Sequence, residues 1–254
     1  MASLSAIILT HNEAHNIEDC IKSCLFADEI LVIDDNSTDN TVALAKAVSP
    51  KVTVVSHALN SDWSQQRNFA MSVATGDYIL FIDADERVTD TLRNSISKEL
   101  SKESLAQVSF KRVNNFELGK PRHGVFRPDW VIRLFPKNTG SYERPVHEQF
   151  VSSLPVHKVD GEIIHYTYTN WDSYWRKINN YARISSENYH KTGRKCSFIC
   201  DIVLRPFWAF IKIYFLNLGF LDGKLGWIFS IYHYAYTMDK YVRLYTLEKN
   251  KGKI

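Results

Sequence analysis

The chain lacks the glycine signatures that usually announce a nucleotide fold. No Gly-x-Gly-x-x-Gly follows its first apolar run and no Walker-type lysine loop occurs, so neither a dinucleotide fold nor a phosphate loop is indicated. A strong net charge is missing as well. With 31 Lys and Arg against 28 Asp and Glu the balance is +3, which argues against a nucleic-acid binder that relies on a global field. The first apolar run, Leu4 to Leu9, is too short for a signal peptide and has no basic segment before it, which predicts a protein that remains in the cytoplasm. Repeats and low-complexity tracts are absent, and 254 residues suffice to bury a sizeable core. The four cysteines fall as Cys20/Cys24 and Cys196/Cys200, a helical spacing wider than that of zinc knuckles, and are read as reduced, semi-buried thiols.

What is present is alternation. Leu4–Thr10 reads as a buried parallel strand, Glu29–Ile33 and Val52–Val55 as the second and third strands and Asp77–Ile82 as the buried fourth, and the segments after the first three read as a helix of about ten residues from Asn16, one running through Ala47, and one over Gln65–Ala74. Four such repeats in about ninety residues predict a parallel sheet with right-handed crossovers. The polar turns all follow strands and therefore gather along the edge where open α/β sheets bind ligands. From about Leu105 the pattern changes to short β-like pieces, Gln107–Val113, Val131–Phe135 and Glu162–Thr167, read as a mixed extension of the sheet. After Trp171 the chain reads as helical, with breaks near Arg205-Pro206 and Asp222-Gly223.

The most informative stretch is Tyr78-Ile-Leu-Phe-Ile-Asp-Ala-Asp-Glu86, an apolar strand that ends in acid. It delivers Asp83, Asp85 and Glu86 to the ligand edge, and carboxylates spaced i and i+2 there can face one Mg²⁺ or Mn²⁺ completed by substrate phosphates. The doubled Asp34-Asp35 also follows a strand directly. One of its carboxylates could accept the imide N–H of a uracil or a ribose hydroxyl, while Ser37, Thr38 and Asp39 cap the next helix.

Ile7-Ile-Leu-Thr-His-Asn-Glu13, Val32-Ile-Asp-Asp-Asn-Ser-Thr-Asp39, Gln66-Arg-Asn-Phe-Ala70 and Gly76-Asp-Tyr-Ile-Leu-Phe-Ile-Asp-Ala-Asp-Glu86 resemble, in order and spacing, the motifs of family-2 inverting glycosyltransferases. The resemblance covers roughly residues 3 to 150 and implies the GT-A fold of nucleotide-diphospho-sugar transferases: an α/β domain over 1–168, with a mostly parallel central sheet flanked by helices, followed by a helical extension over 169–254. It implies a UDP-sugar donor, with Asp34 or Asp35 at the uracil, Thr10 and Glu13 near the nucleoside, Arg67 near the base or diphosphate, Asp83 at the ribose or sugar, and Asp85 holding Mg²⁺ or Mn²⁺. Inversion needs one base for the acceptor hydroxyl. Glu148 of Arg144-Pro-Val-His-Glu148 is the candidate, with His147 beside it. A closer similarity is to bacterial lipopolysaccharide inner-core β-glucosyltransferases, which implies glucose as the sugar and a lipid-anchored core heptose as the acceptor. Arg122, His123, Arg127, Arg133 and Arg144 are candidates for a basic acceptor pocket, with Arg144 and His147 nearest the motif.

Residues 205–221 are nearly continuously apolar and aromatic but carry Lys212, and they are short for a spanning helix. Aromatics from Phe207 to Tyr241, interspersed with Arg205, Lys212, Lys224, Lys240 and Arg243, predict a peripheral extension on an anionic membrane surface at the cytoplasmic face. A helical core or a protein interface is the other reading of the same aromatics. The rival functions are transfer of sugar to polyprenyl phosphate, which needs no base such as Glu148, and a non-catalytic nucleotide-sugar or lipid-binding subunit.

Overall fold

The computed structural model describes residues 2–144, 148–168 and 170–250. The chain divides into two compact units: Met1–Arg112 with Asp129–His165, and Val113–Pro128 with Tyr166–Ile254.

The first unit begins as the alternation predicts. Strand β1 (Leu4–Thr10), helix α1 (Ile17–Ser23), β2 (Glu29–Asp34), α2 (Thr41–Val48), β3 (Val52–Ser56), α3 (Trp63–Val73) and β4 (Tyr78–Asp83) follow in order. The four strands pair in parallel in the order β3-β2-β1-β4, and β1 is buried along its whole length. Strand periodicity assigns its side chains to two cores. Ala6 and Ile8 face one side, against Ile17 and Ile21 of α1 and Ala45 of α2; Ile7 and Leu9 face the other, against Ala70 of α3.

Beyond β4 the sheet becomes antiparallel. A three-residue strand β5 (Glu86–Val88), helix α4 (Asp90–Leu100), β6 (Gln107–Asn114), β7 (Asp129–Pro136), the hairpin β8 (Gly140–Glu143) and β9 (Gln149–Ser152), and β10 (Val156–His165) complete the unit. The sheet reads β3-β2-β1-β4-β7-β6-β10-β5, with β7 inserted beside β4. The hairpin packs Tyr142 and Phe150 over Phe81 and Phe135 on the α3 side.

The second unit is helical. Helix α5 (Trp171–Lys191) opens with a reciprocal cap between Asn170 and Ser173 and packs on α7 (Gly223–Lys249) around Phe116, Tyr174, Leu225 and Phe229. Between them lie a wide helical turn over Phe198–Leu204, α6 (Arg205–Ile211), a second wide turn over Lys212–Leu216, and a short 3₁₀ turn over Gly219–Asp222. The break expected at Arg205-Pro206 falls earlier. The chain leaves α5 through Gly193, at φ 74°, whereas Pro206 sits in the first turn of α6, where its missing N–H is tolerated. The break at Asp222-Gly223 is where α7 begins. Tyr232 and Tyr241, expected on an interfacial face, turn inward instead. No helix of the described residues is long and apolar enough to cross a membrane.

At Gly161 a positive φ coincides with a close main-chain approach. Gly161 of β10 has φ +100°, and a Cβ there would lie 2.4 Å from Leu92 N and Cα at the start of α4. Gly161→Ala is expected to lower unfolding stability by at least about 2 kcal/mol, measured by chemical denaturation, because it adds backbone strain to a main-chain overlap.

Candidate active site

The carboxyl ends of β1, β2 and β4, the first turns of α3 and the residue before β9 enclose a cavity of about 370 Å³. Thr10, Glu13, Asp35, Arg67, Asp83, Asp85 and Glu148 all line it, so seven of the residues singled out from the sequence meet there. Asp34 stays behind the wall: it is buried, its Oδ2 accepts the Ser37 N–H at 3.0 Å, and its Oδ1 has no partner. Its neighbour faces the cavity. Asp35 accepts the Leu59 N–H at 2.8 Å with Oδ1, and His11 Nδ1 stands 3.8 Å from Oδ2. The floor is fixed by Asn12, at φ 55°, whose amide oxygen accepts the Thr38 N–H at 2.8 Å and ties the loop after β1 to the loop after β2. Arg144 is exposed at the end of the hairpin strand, at φ 71°, and His147 lies outside the described residues.

The acid at the end of β4 is answered by two arginines. Arg133 of β7 reaches Asp83 Oδ2 at 2.5 Å and Glu86 Oε1 at 3.1 Å. Arg67 of α3 donates to Asp83 Oδ1 at 3.2 Å and to Glu148 Oε1 at 3.1 Å, with its guanidinium over the rings of Phe81 and Tyr142. Arg112 adds a longer contact to Glu86, 3.5 Å, and pairs with Asp129 at 2.8 Å. Burial opposes ionisation of Asp83, yet Arg133 and Arg67 overcome it and hold the carboxyl well below the usual carboxylate range. At Glu86 burial prevails. It pushes the carboxyl up against the opposing pull of Arg133, and the charge of Asp83 adds to the rise. Arg67 Nη1 remains buried with no partner, a donor left over beside the cavity.

Asp85 is placed differently from Asp83. No arginine holds it; its Oδ2 lies 3.2 Å from Nε2 of His165, which ends β10 and pairs in register with Glu86. His165 carries no sequence signal near the acidic motif, since the sheet alone brings the two together. Among the described residues no group of three or more His, Cys, Asp and Glu could hold a metal by itself. One carboxylate and one imidazole nevertheless suit a divalent cation whose remaining ligands are oxygens of a bound diphosphate and water. Gln66, which opens the Gln66–Ala70 motif, also lines the cavity, as does Trp63 at the start of α3, which the sequence did not single out.

Arg122 and His123 belong to the second unit. Their backbone N–H groups donate to Asp222 Oδ2 at 3.0 and 2.8 Å, and His123 Nδ1 stands 2.8 Å from Oδ1. Arg133, from the same basic group, lies within the buried charge network.

The sheet is that of the GT-A fold: a parallel half with acidic loops at its carboxyl edge, an antiparallel continuation, and helices on both faces. A mannosyltransferase of Pyrobaculum calidifontis, solved with GDP-Man and Mn²⁺, shares it with a TM-score of 0.56 over 96% of this chain and 87% of that one, at 16% identity. Residues 5–158 match the family described as glycosyl transferase family 2, and the chain belongs to that family. It is a glycosyltransferase. Among curated relatives, an uncharacterized glycosyltransferase of Rickettsia felis is 29% identical over 98% of this chain and 91% of its own length. The lipopolysaccharide core biosynthesis glycosyltransferase LpsC of Rhizobium meliloti is 26% identical over 89% of this chain and 88% of its own.

The buried network yields a stability prediction. Arg133→Met removes the cation shared by Asp83 and the fully buried Glu86 and is expected to cost about 3–5 kcal/mol in chemical denaturation. Adding Glu86→Gln should return a large part of that loss, because the second substitution removes the charge left stranded.

Proposed function

We propose that the protein is an inverting glycosyltransferase that moves a sugar from a UDP-sugar to a hydroxyl of a lipid-anchored saccharide, in the presence of Mg²⁺ or Mn²⁺. The observation that carries this reading is the arrangement of one cavity: Asp35 at the end of β2, Asp85 with His165 beyond the end of β4, and Glu148 on the wall between this cavity and the next. The uracil imide would donate to Asp35, with Thr10 and Glu13 along the nucleoside. Asp85 and His165 would hold the cation, which when bound offsets the charge that builds on the departing diphosphate.

Arg67 and Asp83 form the floor under the transferred sugar. Arg133 holds Asp83 ionised, so that carboxylate remains an acceptor for sugar hydroxyls rather than a donor. Glu148 is the base that receives the acceptor proton. Glucose as the sugar and a core heptose as the acceptor follow from the resemblance to inner-core enzymes, and the LpsC relative belongs to the same kind of pathway by its name.

Titration of UDP into the protein should show binding that strengthens with Mn²⁺, and Asp85→Asn should reduce the Mn²⁺-dependent affinity by about 10–100-fold. Glu148→Gln should retain UDP binding and lose about 10²–10⁴-fold in transfer to a truncated lipopolysaccharide acceptor. Wild-type turnover by Glu148→Gln would instead favour a phosphate nucleophile, as in polyprenyl-phosphate glycosylation. Absence of UDP binding with either metal would remove the transferase reading of this cavity.

The second unit supplies the reading of where the acceptor is met. Phe198, Ile199, Phe207, Trp208, Phe215 and Leu216 are each more than half exposed within nineteen residues, far more apolar surface than a monomer ordinarily leaves to water. Exposed Lys195, Lys212 and Lys224 accompany them. This segment docks on a bilayer with anionic lipid, as an interfacial element. The protein is expected to float with vesicles containing phosphatidylglycerol, and Phe207→Ser with Trp208→Ser should abolish most of that flotation while UDP binding is retained. Equal recovery of both proteins with vesicles, or of neither, would remove the assignment of this segment to the membrane.

A further inference from the structure

The wall formed by Arg67, Asp83 and Glu148 has a second side. Beyond it lies another cavity, of about 380 Å³, whose remaining lining comes from β6, β7 and the β8–β9 hairpin and includes Arg112, Trp130 and Arg133. Glu148 therefore borders both spaces, and a hydroxyl presented from the second one can reach the proposed base.

The arginines of this cavity are engaged by protein carboxylates, with Arg67 Nη1 left as a donor without a partner. Arg67 holds Asp83 and Glu148, Arg133 holds Asp83 and Glu86, and Arg112 holds Asp129 and Glu86. Trp130 stands apart from this economy. It is 42% exposed on a strand whose continuation, from Arg133 to Pro136, is buried. A large aromatic ring left in the wall of a polar cavity is a ready face for an apolar or C–H-rich surface.

Two ammonium groups stand over that ring, from lysines outside the residues that line the cavity itself. Lys158 Nζ of β10 is 4.8 Å and Lys111 Nζ of β6 is 5.9 Å from its centroid, and Lys111 is the direct cross-strand partner of Trp130. Attraction to the indole quadrupole gathers both charges at one place without neutralising either. Apart from Arg67 Nη1, the cationic charge left for a ligand is thus concentrated at the aromatic platform.

We infer that this cavity is the acceptor subsite and that it selects a pyranose bearing an anionic substituent, phosphate or carboxylate. The C–H surface of the sugar packs against the part of Trp130 that lines the cavity, and its anion reaches Lys111 and Lys158 over the indole. The inference rests on the transferase reading, and it adds a specificity that the donor cavity does not contain. Trp130 and the two lysines are specificity residues: they contact the acceptor and take no part in the proton transfer.

The test uses the full-length protein with mannose, mannose 6-phosphate, glucuronic acid and inorganic phosphate as probes in ligand-observed NMR titrations, and a UDP–Mn²⁺ titration on every sample. At least one anionic sugar is expected to bind about tenfold or more tightly than mannose and than phosphate alone, a difference of about 1.4 kcal/mol. Which of the two anionic sugars binds more tightly identifies the anion. Lys111→Gln with Lys158→Gln should erase the preference for the anionic sugar and leave mannose binding unchanged. Trp130→Ala should weaken all the sugars, with UDP affinity intact in both variants. Equal binding of mannose and the anionic sugars, phosphate alone binding as tightly as the sugar phosphate, or an anionic preference that survives loss of both lysines would each overturn the inference while UDP binding keeps the donor site standing. Failure of the wild-type protein to bind UDP would overturn both. Should Trp130→Ala lose UDP affinity through misfolding, the lysine variant decides the question.

Discussion

The clamp of Arg133 and Arg67 on Asp83 and Glu86 is the constraint from which the remainder of the first unit follows. A strand that ends in acid and is covered on both faces cannot keep its charges without cations of matching geometry. One of those cations comes from α3 and the other from β7, so β7 must lie against β4 rather than at the sheet's edge. That insertion separates the parallel half from β6, β10 and β5, brings His165 beside Asp85, and sets the β8–β9 hairpin over Phe81 and Phe135. The two cavities are the two sides of the wall that the clamp supports.

The same clamp divides the work among the carboxylates. Asp83 and Glu86 flank Asp85 within four residues of sequence, yet only Asp85 faces an imidazole instead of a guanidinium. Asp34 and Asp35 separate in a similar way: one closes the turn and the other looks into the cavity. In both motifs the end of the strand decides: Asp83 and Asp34 are the last residues of β4 and β2, whereas Asp85 and Asp35 lie just beyond them and meet different partners.

Much of this was legible in the sequence. The parallel strands begin and end within a residue or two of their apolar runs; β1, β2 and β4 do so because a strand buried on both faces has to be apolar throughout, whereas β3 lies at the sheet edge and is only partly buried. The residues that reach the cavity were legible for a related reason: they follow those runs directly. What could not be read is whatever depends on distant pairing. Strand β5 has three residues and the hairpin strands four, with Tyr142 and Phe150 as their main apolar anchors, too short a pattern to stand out. His165 and Trp130 owe their places to the order of strands, and nothing in their flanking residues carries that information. The end of α5 was missed because the proline at 206 drew attention from the glycine at 193.

Arg67 and Glu148 are separated by 81 residues along the chain, and Asp83 and Arg133 by 50. Such contacts carry the entropic cost of closing a long loop before any of them is rewarded. A nascent chain that has folded only its first four strands carries its acidic edge without the β7 arginine, and mutual repulsion among Asp83, Asp85 and Glu86 would hold that edge open. Closure of the charge cluster therefore depends on the sheet being complete, so the acidic rim owes its integrity to long-range strand pairing rather than to the local motif that supplies its carboxylates.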